Sequence, residues 1–208
     1  MQSRLRHSSL GMVIGVPFGG TAAVTNNVAM EAELATYISG LATPLSADIL
    51  GKINTFVAGY KSDDGLTNLS DAYDVMYYLG NETAESSLRN LVKRAHDAVA
   101  VNSPTFTPYE GWAGDGISSY IDTNYNPATE GSKYTLNSAS FGLYSRTDRA
   151  ASDYKYHGVV LGLNYIQIQL RRSTSNYFRG WINSNGSISK VVSDTLGMHI
   201  LLRSGANV

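Results

Sequence analysis

The sequence predicts an α+β chain. An N-terminal arm (residues 1–27) and a short helical segment (28–95) precede an antiparallel β-sandwich or jelly roll (96–208). Three observations lead there. Apolar residues recur at helical spacing up to about Val92, the pattern shifts to short extended runs from about Asp97, and the composition suits many strands and tight turns. The chain has 20 Gly and 14 Tyr, and only 16% of its residues are charged. Gly and Asn supply positive φ at turns, and Tyr and Thr fit a pleated surface.

In the helical segment, Met30, Leu34, Tyr37, Ile38 and Leu41 fall on one helix face. Asn27 is the expected N-cap, Glu31 and Glu33 sit near the positive end, and Pro44 is the expected stop. A second helix is capped by Ser46, buries Ile49, Leu50, Ile53, Phe56, Val57 and Tyr60, tolerates Gly51, and closes at Asp63-Asp64-Gly65. A third is expected from about Ser70 to Leu79 with Gly80 as its stop, and a shorter fourth from Glu82 to Val92.

Beyond Asp97 the extended candidates are Ala98–Val101, Thr105–Thr107, Ile117–Ile121, Ser138–Tyr144, His157–Leu163, Tyr165–Leu170, Tyr177–Ile182 and Met198–Leu202. Tyr165–Leu170 alternates apolar and polar residues, which predicts a strand with one wet face. Gly114-Asp115-Gly116, Asn124–Pro127, Asn183–Gly186 and Ser204-Gly205 are the intervening turns.

At the N-terminus, Arg4, Arg6 and His7 precede the apolar run Leu10–Phe18 and then small residues, the outline of a secretory signal. We read it instead as a retained strand or docking arm. Nothing approaches the roughly 20 apolar residues of a membrane span, so no membrane partner is expected. With 16 basic and 17 acidic residues, the chain has no single-sign field to hold a polyanion, and nucleic acid is not an expected partner. The absence of cysteine removes disulfides, thiolate metal sites and cysteine nucleophiles.

The search for reactive groups yields no catalytic, cofactor or metal assignment. His7, His96, His157 and His199 are too far apart in sequence for a helical metal pair. His199 reads as a surface or satisfied sheet residue, and His96 as making a local hydrogen bond beside Asp97. A retaining glycosidase on such a sandwich needs two carboxylates on one strand. Asp148 and Asp153 lie instead in a polar loop, Asp115 and Asp122 in or beside turns, and Asp194 ahead of the last strand. No G-x-S-x-G elbow and no phosphate-binding glycine loop occurs. Asp115, Asp122 and Asn124 could offer oxygens to calcium, but carboxylates near turns are common and no metal is assigned. Arg171, Arg172 and Arg179 read as edge protection rather than as a contact for an acidic surface or glycan. The suggestive binding feature is aromatic: Tyr109, Trp112, Tyr120 and Tyr125, with Tyr134 nearby, combine stacking faces with polar tips. Such rings serve sugar contact, protein interfaces or the core, and the sequence does not separate these uses.

The run Ala98–Pro127 (AVAVNSPTFTPYEGWAGDGISSYIDTNYNP), with Asn137–Thr147 (NSASFGLYSRT), resembles a segment of bacteriophage virion proteins. These are tail-associated or particle-surface proteins with a concanavalin-like, laminin-G-like domain, and residues 45 to 92 resemble their helical lead-in. The resemblance covers about three quarters of the chain and marks a scaffold, so no catalytic residue is carried over from it. It implies a concanavalin-like sandwich and localisation in the virion. Proteins of this type continue with further strands past the equivalent of Leu196–Arg203, whereas this sequence ends at Val208. The expectation is a smaller sandwich, or one whose edge a neighbouring chain completes. Either way it predicts assembly with other virion proteins, and as a homo-oligomer, rather than a free monomer.

The leading expectation is therefore a non-catalytic structural protein of a phage particle, with contact to host surface glycan as an added role. The alternative is a host-receptor, carbohydrate-binding module of a tail fibre or head fibre. A polysaccharide-degrading enzyme ranks third.

Overall fold

The computed structural model describes residues 12–13, 29–148, 157–161, 164–170, 177–184 and 186–205. Apart from Met12–Val13, the expected arm lies outside the described residues, as do His7, Asp153, Arg171 and Arg172. The chain is a mixture of helices and antiparallel sheets, the α+β class the sequence predicts. It divides into two compact units: one spans Val13–Tyr125, the other joins Met1–Met12 to Asn126–Val208. Four short strands that follow residue 96 therefore belong with the helices.

In the first unit, α1 spans Ala32–Ile38 and α2 spans Ala47–Asp64. The second follows its sequence signals closely. Ser46 Oγ accepts from the Ile49 N–H, and Gly65 closes the helix in the left-handed conformation at φ 65°. Ile49, Ile53 and Val57, spaced four apart, are its buried stripe, each stabilising the fold by roughly 1.5–3 kcal/mol through burial. The first helix differs from expectation. It begins at Glu31 rather than Asn27, leaves Met30 exposed, and turns off at Ser39 and Gly40, ahead of Pro44. A three-way ion pair ties these elements together. Lys61 Nζ lies 2.7 Å from Glu31 and 3.1 Å from Glu33, and Glu33 also accepts the Leu69 N–H at 2.9 Å. Burial alone would raise the Glu33 carboxyl, but the Leu69 N–H and Lys61 hold it below its usual range.

The third and fourth expected helices are corrected. Only a 3₁₀ turn at Leu69–Asp71 and a five-residue helix, α3 (Ala84–Leu88), form there. Ala72 to Tyr78 are all buried, and a helix that buries one face cannot hide seven consecutive side chains. The stretch is held by substitute hydrogen bonds instead. Asn90 Oδ1 accepts from Met76 and Val92, Asn90 Nδ2 donates to Ala95, and the Leu91 N–H donates to the Met76 carbonyl.

Two antiparallel pairs complete this unit. Strand β2 (Val99–Val101) pairs with β5 (Tyr120–Asp122), and β3 (Thr105–Thr107) pairs with β4 (Gly111–Ala113), a strand the sequence did not suggest. Residues 117–119, the first part of the extended run expected over Ile117–Ile121, instead continue the Gly114–Gly116 turn into a loop around the Asp115 carboxylate.

The second unit holds the short helix α4 (Pro127–Glu130), where only a turn was expected, and the larger sheets. Sheet order is β1 (Met12–Val13), β6 (Ala139–Ser145), β11 (Gly197–Arg203) in one. In the other it is β10 (Ile188–Val191), β9 (Tyr177–Ser184), β8 (Asn164–Gln169), β7 (His157–Leu161). Five of these seven strands, β6, β7, β8, β9 and β11, overlap an expected run, and β10 and the two-residue β1 are placed by pairing alone.

Strands β9 and β11 approach closely at Gly180, where a Cβ would lie 2.2 Å from Leu201 Cδ2. Phe178 and His199 stack alongside with ring centres 5.5 Å apart. Phe141, Leu143, Ile166, Ile168, Leu170, Phe178, Ile182 and Leu201 are buried in this unit.

Candidate binding surfaces

The aromatic residues singled out from the sequence do not form one platform. Tyr134 belongs to the second unit, buried, with its hydroxyl donating to Asn183 Oδ1 at 2.8 Å; burial pushes that phenol far above its usual range. The other four lie in the first unit. Tyr125 donates to Asp74, a carboxylate only 1% exposed, and packs edge-on against His96. Trp112 donates its indole N–H to Ser87 and leans on its cross-strand partner Phe106, with ring centres 5.0 Å apart. These two use their polar tips to hold the fold. Tyr109 and Tyr120 are exposed: Tyr109 stands in the β3–β4 turn at φ 63° with its hydroxyl on Glu82, and Tyr120 lies on β5.

The oxygen-bearing turns are likewise engaged. Asp115 Oδ1 accepts the N–H groups of Ile117, Ser118 and Ser119, each at 2.9 Å. Those backbone bonds, led by Ser119, hold its carboxyl well below the usual carboxylate range although it is exposed. Asp122 accepts from the Asn124 N–H, and Asn124 donates to the Asp97 carbonyl. Asp148 accepts from the backbone and hydroxyl of Thr195, and Asp194 accepts from Leu196. Among the described residues, no three His, Asp or Glu side chains are grouped so as to hold a metal ion. His96 Nδ1 lies 2.7 Å from the Asn124 carbonyl and His199 Nε2 lies 3.1 Å from the Thr195 carbonyl. No described helix is long and apolar enough to cross a membrane.

Two surfaces of the second unit were not read from the sequence. The first is on β11. Leu201 is buried, His199 is half-buried against Phe178, and Arg203 Nη1 donates to the Ile182 and Asn183 carbonyls. The alternate residues Met198, Ile200 and Leu202 are 37%, 51% and 56% exposed. The strand thus keeps a histidine and an arginine on its packed side and shows a stripe of three large apolar side chains on the other. In the described sheet it is also a terminal strand, paired only with β6. Period-2 alternation could have revealed this stripe, had the packed side been known to be the one with His199.

The second surface is on β8 and β9. Register places Gln167 opposite Trp181 and Gln169 opposite Arg179. These four therefore share the sheet face opposite Ile166, Ile168 and Gly180. Arg179 extends its guanidinium to 5.0 Å from the Trp181 ring centre and donates to Ser187 Oγ at 2.8 Å. The arginine works within the sheet, on an inner strand rather than at an edge. The expected wet face of Tyr165–Leu170 is corrected here: Gln167 and Gln169 are each only 6% exposed. Their flanking partner Trp181 and the central position of β8 in the sheet account for part of that cover.

Comparison with models of known families, with curated proteins and with solved structures finds no match to this chain.

Proposed function

We propose that this chain is a non-catalytic structural protein of a bacteriophage particle, assembling with copies of itself and with other virion proteins. The finer fold belongs to the same reading: the paired sheets of the second unit are the layers of a small concanavalin-like sandwich, in keeping with the approach of Gly180 to Leu201 and of Phe178 to His199. The observation that carries assembly is the apolar stripe Met198, Ile200 and Leu202 on a terminal strand. An exposed edge strand with an apolar face is a hazard for a free monomer and a ready contact for a neighbour. The sequence resemblance adds the particle as the setting. Gold-labelled antibody against the chain, applied to purified particles of the phage that encodes it, is expected to decorate each particle at a fixed position. Undecorated particles, with the antibody shown to recognise the folded chain, would reject the proposal.

A further inference from the structure

An open sheet edge is a template for another strand, and proteins blunt the edges they leave open with short strands, lysines, prolines or bulges. The terminal strands of the second unit differ in this respect. Strand β1 has two residues, and β10 has four with Lys190 among them. Strand β11 has seven, Gly197–Arg203, matched one to one with β6 without a bulge, and it contains neither proline nor lysine. Among the described residues, its backbone makes no hydrogen bond outside the ladder with β6. Its arginine is turned inward, where the Arg203 guanidinium donates to the Ile182 and Asn183 carbonyls. The edge thus offers a free row of backbone groups beside the exposed side chains of Met198, Ile200 and Leu202.

We infer that β11 pairs antiparallel with β11 of a second copy, about a two-fold axis that passes through Ile200 perpendicular to the sheet. The pairing rests on the assembly proposed above and names its partner and its register. A two-fold interface is self-complementary, so the axis runs through a residue that faces its own copy. Centred on Ile200, the middle of the strand, every residue of Gly197–Arg203 finds a partner. Met198 then stands opposite the partner's Leu202, His199 opposite the partner's Leu201, and Arg203 opposite the partner's Gly197. Opposed residues in an antiparallel pair point to the same face, so the two stripes join into one apolar strip of cross-strand contacts. Moving the axis one residue either way leaves part of the strand unpaired, and sets His199 against the partner's Arg203 or against its own copy. The Ile200 register matches apolar with apolar and brings no two basic side chains together.

The chain has no cysteine, so single cysteines placed in the full chain report the register. Ile200→Cys is expected to give a disulfide-linked dimer on mild air oxidation, because facing residues of an antiparallel pair lie about 4.5–5.5 Å apart at Cα, within disulfide reach. Met198→Cys and Leu202→Cys should each crosslink roughly tenfold more slowly, each lying about 14 Å from its own copy. The variant carrying both should crosslink as readily as Ile200→Cys. Hydrogen exchange on the parent distinguishes edge pairing from face-to-face stacking. Consecutive β11 amides should exchange slowly in the dimer, and only every second one, bonded to β6, on dilution to the monomer. A parent that sediments as an oligomer while Ile200→Cys stays uncrosslinked, while all three single variants crosslink alike, or while alternate β11 amides exchange freely, overturns this pairing and leaves assembly standing. A parent that is monomeric at every concentration overturns both.

Discussion

The two units treat buried polarity in opposite ways. In Val13–Tyr125 the interior holds many polar side chains, and most of them pair with the backbone. Arg89, 6% exposed, donates to the carbonyls of Tyr37, Ser39 and Gly40 at the end of α1, and to Glu85. Asn90 replaces a missing strand partner, and the Tyr37 hydroxyl joins Asn81 to the Ser86 carbonyl. In the sheet unit the interior is mainly aliphatic and aromatic, while an apolar stripe is exposed and two amides, Gln167 and Gln169, are buried with no hydrogen-bond partner among the described residues. Polarity that is satisfied builds structure. Apolar surface left uncovered marks where a molecule is made to meet something else.

The largest effect that sharpens this contrast is expected from Arg89→Met. It orphans three carbonyls and takes away the cation paired with Glu85, which keeps only the Ala42 N–H, and it should cost about 4 kcal/mol in urea unfolding. Asn90→Ala follows at about 3 kcal/mol, since two buried N–H groups and one carbonyl lose their partner. In the sheet unit the sensitive position is steric. Gly180→Ala drives a methyl into Leu201 and should cost about 2 kcal/mol by the same measurement.

A smaller effect concerns the Asp115 loop, which presents Ile117 at 92% exposure. Its carboxyl titrates below its ordinary value of 3.8 in the folded chain, so its contribution is fully present above the ordinary carboxylate range and is lost only as pH falls through the lowered folded value. The amide resonances of Ile117, Ser118 and Ser119 should hold their positions while other exposed carboxylates protonate. A common midpoint near pH 4, about the value for free carboxylates, would break the assignment. The smallest effect is that of Gln169→Leu, expected within about 0.5 kcal/mol of the parent, because an amide with no partner among the described residues can be replaced by an apolar group at little cost. Equal losses from Gln169→Leu and Asn90→Ala would erase the distinction between the units.

The same contrast explains what could be read from sequence. Helix α2 was legible because Ser46, the four-residue spacing of Ile49, Ile53 and Val57, and Gly65 all report local physics. Strands β6, β8, β9 and β11 announced themselves by alternation and flanking turns. Residues 72–78 were misread as helix because their backbone partner is the side chain of Asn90, well along the chain from Met76, and no local pattern encodes that. The candidate aromatics were chosen as a cluster in sequence, whereas Tyr125 and Trp112 are anchored inward by Asp74 and Ser87. The two surfaces of the sheet unit were hidden for a related reason. Alternation marks two faces of a strand but does not say which is covered, and β8 and β11 both resolve against the simple rule that polar residues face water.

Sedimentation velocity across a concentration series, run on the chain and on Ile200→Lys, tests assembly through β11 most directly. The parent is expected to sediment as an oligomer, and the variant, with a charge set in the middle of the apolar stripe, as a folded monomer with an unchanged far-ultraviolet spectrum. A parent that stays monomeric at every concentration, or a variant that assembles as well as the parent, would contradict the account.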